Sequence, residues 1–292
     1  MSIISELYRY AALHVRSLED YTKRYLDKPQ KAKADITISL STIPSRIEKI
    51  YPALKSLMDQ TMPPRRIYLA IPPFSIREKK AYSIPETLRN CPAIQIIDAK
   101  KDWGSATKLI PALRHPSTKP DDIILTADDD NIYPAEFVET FWQYSQKLPD
   151  AALSLRGAPM SRTVRWNDCR AFKGTAISQP AAVEIITGCG GIMVKPKFFA
   201  AEFFDYDQAP MQAFFVDDIW VSGNLARNGI SRYVIPFRGS YVYLTSLTTL
   251  SGPALDKCEN RGGGNDDAVM DYFRPYWKLP VENSAPEKNR MG

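Results

Sequence analysis

Apolar residues along this chain fall into short runs separated by stretches of helical period. Residues 36–40, 67–71, 94–97 and 123–127 are compact apolar runs of the length expected for buried strands. After the first, Ile47, Ile50, Tyr51, Leu54, Leu57 and Met58 recur at helical spacing, and Pro52 either kinks that helix or marks its true first turn. Residues 106–113 and 134–146 read as further helices, the second opened by Pro134. Strand–helix alternation of this kind predicts an α/β domain with a mostly parallel sheet flanked by helices on both faces. The second half is less regular. Short strands and long loops are expected over 151–182, then a strand over 183–186, the turn Thr187-Gly188-Cys189-Gly190-Gly191, and a strand over 192–194. Three glycines in that turn suit a bulge, a ligand's close approach to the backbone, or a plain turn. Asp217-Asp218 opens an amphipathic helix that ends at Asn228-Gly229, and 233–235 and 241–243 read as late strands. Residues 251–267, with Gly262-Gly263-Gly264, are expected to be a mobile loop, and residues from 281 onward a disordered tail.

Residues 1–30 read as one helix with an apolar stripe of Ile4, Leu7, Ala11, Val15, Leu18 and Tyr25. Two uses suit it. It can dock on the body of the protein or on a second subunit. It can also lie at a membrane interface, which Tyr8, Tyr10, Tyr21 and Tyr25 with Arg9, Arg16, Lys23 and Arg24 would serve. Glu6, Glu19 and Asp20 dilute the basic face, which favours docking. A polar linker over 28–34 separates this extension from the rest.

Composition narrows the class. A chain of 292 residues with 44% hydrophobic and 24% charged content is ordinary for a globular protein. Lys and Arg exceed Asp and Glu by 38 − 33 = 5. With no basic run or aromatic-basic motif, that excess does not point to nucleic acid. It suits a phosphate-bearing substrate or loose attachment to an anionic membrane surface. Cys91, Cys169, Cys189 and Cys258 form no CxxC motif and read as reduced thiols of a cytosolic protein. No apolar stretch reaches the length of about 18 residues that spans a bilayer. Arg9, His14, Arg16, Glu19 and Asp20 interrupt any secretory h-region. The expected location is the cytoplasm, with the inner face of the cell membrane as the alternative.

Candidate chemistry concentrates at Asp128-Asp129-Asp130, directly after the run over 123–127. Adjacent carboxylates repel, and an unpaired buried charge is costly. A cation at the strand's carboxyl end accounts for the cluster; the plain alternative is a loop that happens to be acidic. Hard divalent ions take oxygen ligands and share them with a phosphate-bearing substrate. Ligands of open α/β sheets gather at that end, where the turn over 41–46 also falls. Asp121-Asp122 lies at the opposite end of the same strand, roughly 17–20 Å away at about 3.3 Å per residue, and reads as an acidic loop.

Four features stand in the order found in nucleotide-sugar glycosyltransferases of the GT-A type, which the chain resembles over roughly residues 34–275. The strand and turn over 36–46 look like that family's nucleotide-binding start. Trp103-Gly104-Ser105-Ala106-Thr107-Lys108-Leu109 resembles a helix start of several bacterial branches. Thr126-Ala127-Asp128-Asp129-Asp130 matches the DxD motif, and Phe215-Val216-Asp217-Asp218-Ile219 resembles the late acidic pair. The resemblance implies a GT-A-like domain over 35–280, with a nucleotide-binding half at 35–150 merged with a smaller mixed acceptor half at 151–280. It implies transfer of a sugar from a nucleoside diphosphate donor, UDP by frequency in similar enzymes, to a saccharide or glycolipid acceptor of bacterial surface polysaccharide, such as lipopolysaccharide or capsule.

Such a transfer needs a neutralised leaving diphosphate, a general base and a binding platform. A divalent cation, Mn²⁺ or Mg²⁺, serves the first need as a Lewis acid. Asp130 is assigned to it, with Asp128 joining or holding the ribose hydroxyls; Asp129 is expected on the other side, since neighbouring side chains alternate. Lys108 is either a second cation on the diphosphate or a solvated helix lysine. For the base, a carboxylate beside another in a cleft can have its pKa raised toward working pH. In similar inverting enzymes the second of the acidic pair acts, which assigns Asp218 as base and Asp217 as helix cap. Retention stays open, because it depends on where the acceptor sits. Thr42, Pro44 and Arg46 are expected around base and ribose. Trp103, Tyr133, Phe215 and Trp220 are sugar-stacking or core residues, and Gly190 and Gly191 admit donor or acceptor sugar to the backbone. Arg261 can close over the diphosphate. The family's C-terminal metal-binding histidine has no counterpart, since His14 and His115 are the only histidines; weak metal binding without nucleotide follows. A metal-dependent nucleotidyltransferase would also want clustered aspartates, but no glycine-rich phosphate cradle ending in Lys-Ser or Lys-Thr is present. A non-catalytic glycan-binding protein on the same fold is the third reading, opposed by Asp218.

Overall fold

The structure is a computed structural model that describes residues 3–250 and 262–279. Its centre is a sheet of strands β1 (Ala34–Ser41), β2 (Pro64–Ile71), β3 (Gln95–Asp98), β4 (Ile123–Thr126), β5 (Ala151–Ser154), β6 (Ala181–Ala182), β7 (Ile192–Val194) and β8 (Ser231–Val234). Their spatial order is β6-β8-β5-β7-β4-β1-β2-β3, eight strands in all. β3, β2, β1 and β4 are parallel, β7 runs against both its neighbours, β5 and β8 are parallel, and β6 closes the edge antiparallel. The expected α/β class with a mostly parallel sheet is therefore present, and strands from both halves of the chain share the one sheet.

Side-chain alternation along the strands builds two cores. Ile36, Ile38 and Leu40 of β1, Ile67 and Leu69 of β2 and Leu125 of β4 face one side. There they meet helices α1 (Ile3–Val15), α2 (Leu18–Asp27), α3 (Tyr51–Met58), α4 (Glu86–Arg89) and, beyond them in sequence, the helix Phe137–Lys147. Tyr68, Ala70, Ile97, Ile124, Ile192, Val194 and Val234 face the other side. That side is covered by α5 (Ile110–Leu113) and, after α6 (Phe137–Lys147), by α7 (Asp217–Arg227) and α8 (Gly264–Tyr272).

Topology locates the crevice. From β1 the chain steps outward through β2 to β3, then returns across β1 to form β4 on its other flank. Ser39 of β1 sits opposite Thr126 of β4, and the Ala127 N–H donates to Ser39 O at 3.0 Å. The carboxyl ends of β1 and β4 thus diverge at a topological switch point, the general ligand-binding position of open α/β sheets. Thr42 and Asp128 are the residues that leave it.

Several expectations are corrected. In place of the one helix expected over 1–30, residues 3–27 hold two: Ser17 breaks the run and caps α2, its Oγ accepting from the Asp20 N–H at 3.1 Å. The helices do dock on the body of the protein, but α1 uses Glu6, Arg9 and Leu13, not the apolar stripe. Arg9 is buried because every arm finds an acceptor: Asp59 Oδ2 at 2.9 Å, Tyr133 O at 2.8 Å, Ser56 O at 3.1 Å and Asp59 O at 2.8 Å. Ile4, Leu7 and Val15 are left 80%, 62% and 84% exposed. The helix predicted from Ile47 starts at Tyr51, with Pro52 in its first turn and a turn over 44–49 before it. The late strand is Leu244–Thr245, paired with Asn131–Ile132, not 241–243. Part of the predicted loop, from Gly264, is α8; the rest of that loop through Arg261, Cys258 and the tail lie outside the described residues. Among the described residues no helix is long and apolar enough to cross a membrane, and Cys91, Cys169 and Cys189 are free thiols.

Candidate active site

Three chain segments converge at the switch point. The first is the Asp128–Asp130 triplet after β4. It is not a free acidic cluster but one matched by two cations. Arg46, from the turn after β1, reaches Asp129 Oδ1 at 3.2 Å and Asp130 Oδ2 at 2.7 Å. Thr42 Oγ1 donates to Asp129 Oδ2 at 2.6 Å. Asp129 is therefore buried with both oxygens engaged, and burial, only partly countered by Arg46, pushes its pKa up to about 6. Asp129 reaches Thr42 at the end of β1, yet it shares Arg46 with Asp130 and lines the same cleft as Asp128 and Asp130. Asp128 is held at its backbone, where its N–H donates to Tyr133 Oη at 2.8 Å.

The second segment is the 3₁₀ turn Gly104–Lys108. Asp102 Oδ1 accepts from the Gly104 N–H at 2.8 Å and from Thr107 Oγ1 at 3.3 Å, which winds the turn tightly. Gly104 has φ +61°, and a Cβ there would lie 1.8 Å from Phe214 O. Only glycine allows the turn to lie against the loop before α7. The turn ends on Lys108, whose buried ammonium bridges Asp128 Oδ1 at 2.8 Å and Asp217 Oδ2 at 3.0 Å. Burial alone would lower its pKa; Asp128, Asp217 and Asp218 outweigh burial and hold it well above the ordinary value. Lys108 is not a solvated helix lysine.

The third segment is the start of α7. Asp217 does not cap the helix. Val216 is the cap residue without a side-chain bond, and the Asp217 N–H donates to Ser105 Oγ at 3.0 Å. Its carboxylate serves Lys108 instead. Asp218 Oδ1 accepts from the Gly188 N–H at 2.7 Å. Burial, then the adjacent Asp217, raise the Asp218 pKa to about 7, while Lys108 and the Gly188 amide pull the other way.

These groups line a cleft of about 590 Å³ that includes Lys108, Asp128, Asp130, Asp217, Asp218 and Phe215. It continues into a smaller pocket bounded by Thr42, Ile43, Arg46, Ser75, Tyr82 and Asp102. Pro44 does not line it. Trp103 and Trp220 are core residues, not sugar platforms. Trp103 Nε1 donates to Ala99 O at 3.1 Å and its ring meets Tyr206 edge-on; Trp220 Nε1 donates to Phe203 O at 3.1 Å. Tyr133 is fully buried beneath Asp128. Gly190 and Gly191 are consumed by internal packing. A Cβ on Gly190 would lie 2.6 Å from Arg156 N, and one on Gly191, at φ +73°, 2.8 Å from the Phe137 ring. The residue of that turn lining the cleft is Cys189. Arg261 lies outside the described residues. Arg156, Trp166, Tyr243 and Asn131 also line the cleft; none belongs to a motif, and nothing in the sequence separates them from other arginines and aromatics.

A divalent ion suits the donor set in one way only. A carboxylate offers about four lone-pair sites. Asp128 accepts from Lys108 at 2.8 Å and distantly from Asn131 at 3.4 Å, and Asp130 accepts from Arg46, so both keep capacity toward the cleft. Among the described residues no group of three or more His, Cys, Asp or Glu side chains is arranged to hold a metal. Two carboxylates fit an ion that takes its remaining oxygens from substrate phosphates and water, as Mg²⁺ commonly does. The chain matches none of the protein-family models and none of the curated proteins with which it was compared.

Proposed function

We propose that this protein is a divalent-metal-dependent glycosyltransferase of GT-A type that moves a sugar from a nucleoside diphosphate donor, UDP by preference, to a saccharide or glycolipid acceptor with inversion. One observation carries the reading: two acidic motifs far apart in sequence share one cleft at the sheet's switch point, joined by a buried lysine. The pocket at Thr42, Ile43, Tyr82 and Asp102 is proposed for the nucleoside, and the diphosphate then lies against Arg46 and Lys108. Asp128 and Asp130 would hold Mn²⁺ or Mg²⁺, which when bound supplies Lewis-acid stabilisation of the leaving diphosphate.

Asp218 is the proposed base. Its carboxylate takes the acceptor hydroxyl proton as that oxygen bonds to the anomeric carbon. The bond from that carbon to the diphosphate oxygen breaks, and the electron pair leaves with the diphosphate. The Gly188 N–H fixes the orientation of Asp218, and Asp217 keeps Lys108 in place beside it. Surface-polysaccharide synthesis at the inner face of the cell membrane, with loose attachment through the solvent-facing side of α1, completes the proposal.

Thermal unfolding with UDP, GDP, CDP and TDP, each with and without Mn²⁺, tests the donor half. A preferred nucleotide at about 100 times its Kd adds about 2.7 kcal/mol of stability, which in a domain of this size is a shift of several degrees. No stabilisation by any nucleotide with metal present, or full sugar-transfer rates after Asp130→Ala, would overturn it.

A further inference from the structure

The cations of the cleft are not equivalent. Arg46 and Lys108 each face two aspartates. Although Asp266 lines the same cleft, Arg156 forms no ion pair with a carboxylate among the described residues. Its Nη1 donates to Thr187 Oγ1 at 3.2 Å and lies 3.7 Å from Cys189 Sγ, both neutral groups. A guanidinium carries five N–H donors in a planar fork that matches a carboxylate or phosphate. The donors without a hydrogen-bond partner among the described residues belong to a side chain that lines the cleft.

Arg156 is rigidly mounted. It opens the strand Arg156–Ala158, which lies between Phe172–Lys173 and Ile185–Ile186. Its N–H donates to Ser154 Oγ at 3.1 Å, and its carbonyl accepts from the Thr187 N–H at 3.0 Å. Gly190 lets the two backbones approach this closely. Trp166 joins Arg156 in the cleft wall. It sits on a loop tied to α8, since the Trp166 N–H donates to Asp267 Oδ1 at 2.8 Å and Arg165 pairs with Asp271 at 2.7 Å. An indole face offers a sugar ring a platform of low conformational-entropy cost.

The turn over 187–190 relates this pair to the chemistry. Its Gly188 amide holds Asp218, and its Cys189 thiol lies against Arg156. One short turn therefore sets the separation between the proposed base and a cation that has no ion pair among the described residues. We infer that Arg156 and Trp166 form a subsite for an acidic acceptor saccharide, Arg156 pairing with a carboxylate or phosphate on the sugar while the ring packs on Trp166. This rests on the transferase reading and adds to it the charge class of the acceptor.

Binding of three probes to the full-length protein tests it: methyl glucuronide, methyl glucoside 6-phosphate and uncharged methyl glucoside, followed by tryptophan fluorescence and ligand-observed NMR. At least one anionic probe should bind about tenfold tighter than the neutral one, the scale of a hydrogen bond to a charged group. The tighter of the two anions identifies carboxylate or phosphate as the source. Arg156→Gln should abolish the preference and Arg156→Lys should keep part of it. Stabilisation by Mn²⁺ and nucleotide in Arg156→Gln reports that the fold and donor side are intact. Equal binding of charged and neutral probes, no binding of any probe, or a preference that survives Arg156→Gln would each overturn the subsite. Loss of nucleotide stabilisation in the wild-type protein with the anion preference retained would instead remove the transferase reading and leave the subsite standing.

Discussion

Asp218 is the residue on which pH dependence should turn. Its pKa, raised to about 7 by burial and then by Asp217, puts the ionisation of the proposed base close to neutrality. A base must be ionised to act, so kcat/KM should rise with pH along an acid limb centred near 7. Asp218→Asn should lower turnover by about 10²–10⁴, the usual worth of general-base catalysis, and leave nucleotide affinity unchanged. A limb that persists in Asp218→Asn with high activity would transfer the role elsewhere. Stability should move the opposite way. A carboxylate whose folded pKa exceeds its unfolded value near 3.8 binds its proton more tightly when folded. Its effect on stability is therefore increasingly unfavourable as pH rises from about 4 to about 7, and constant above. Asn can still accept from the Gly188 amide but never ionises. The melting temperature of Asp218→Asn relative to wild type should thus increase between pH 5 and pH 8; a constant gap would contradict the shifted pKa. The acidic residues were legible in the chain because clustered charge after an apolar run is rare and costly. Arg156 and Trp166 were not, since an isolated arginine carries no spacing signal and only tertiary placement reveals that it forms no ion pair among the described residues.

At the scale of elements, strand and helix existence followed closely from hydrophobic period, and the exceptions share a cause. In α1 a buried arginine displaced the apolar stripe from the interior. Hydropathy ranks Arg9 as a surface residue, yet three backbone carbonyls and one carboxylate satisfy its guanidinium. Glycines dominate the segment that opens α8 and give it the pattern of a loop, although Val269 and Met270 of the helix pack fully into the core. The stripe left on α1 is the part of the proposal most easily tested. Ile4, Leu7, Tyr8 and Val15 present an apolar row to solvent, a geometry suited to the headgroup–acyl boundary. The protein should sediment with vesicles containing anionic phospholipid, less with zwitterionic ones, and Leu7→Gln with Val15→Gln should reduce the bound fraction severalfold while leaving the melting temperature within about a degree, as expected for exposed positions. Unchanged sedimentation would remove membrane contact from the proposal. The Gly104 turn is the second element-level test. Gly104→Ala must adopt φ +61° and displace Phe214 O, costs of about 1 kcal/mol for the backbone alone and more for the clash. The melting temperature should fall by several degrees, and less if the φ penalty acts alone.

Across the whole molecule, the site is an alternating lattice of charge in which carboxylates outnumber cations: Arg46 lies between Asp129 and Asp130, Lys108 between Asp128 and Asp217. Each cation, shared between two carboxylates, relieves part of their repulsion before any ligand arrives, and the lysine sets a condition on metal binding. A divalent ion approaching Asp128 alone must compete with the Lys108 ammonium for the same oxygens, in a space where like charges repel. A donor diphosphate changes that competition, because its own negative charge attracts both the ion and Lys108. Metal alone should therefore bind weakly to the wild-type protein, and metal with nucleotide should stabilise it by more than the sum of the two separately. Lys108→Met exposes the logic. Removing one partner of a buried ion pair costs about 3–5 kcal/mol, because the partners left behind are uncompensated. The variant should melt well below wild type without metal, and millimolar Mn²⁺ or Mg²⁺ should restore much of the loss by occupying the vacated cation position. EDTA should reverse the recovery. Chelator-sensitive rescue of Lys108→Met, with no comparable metal effect on wild type, would identify the lysine as the resident counter-ion of a site built for a second cation. If the metals stabilise variant and wild type equally, Lys108 and the ion do not share that position, and competition from the lysine is not what weakens binding of metal alone.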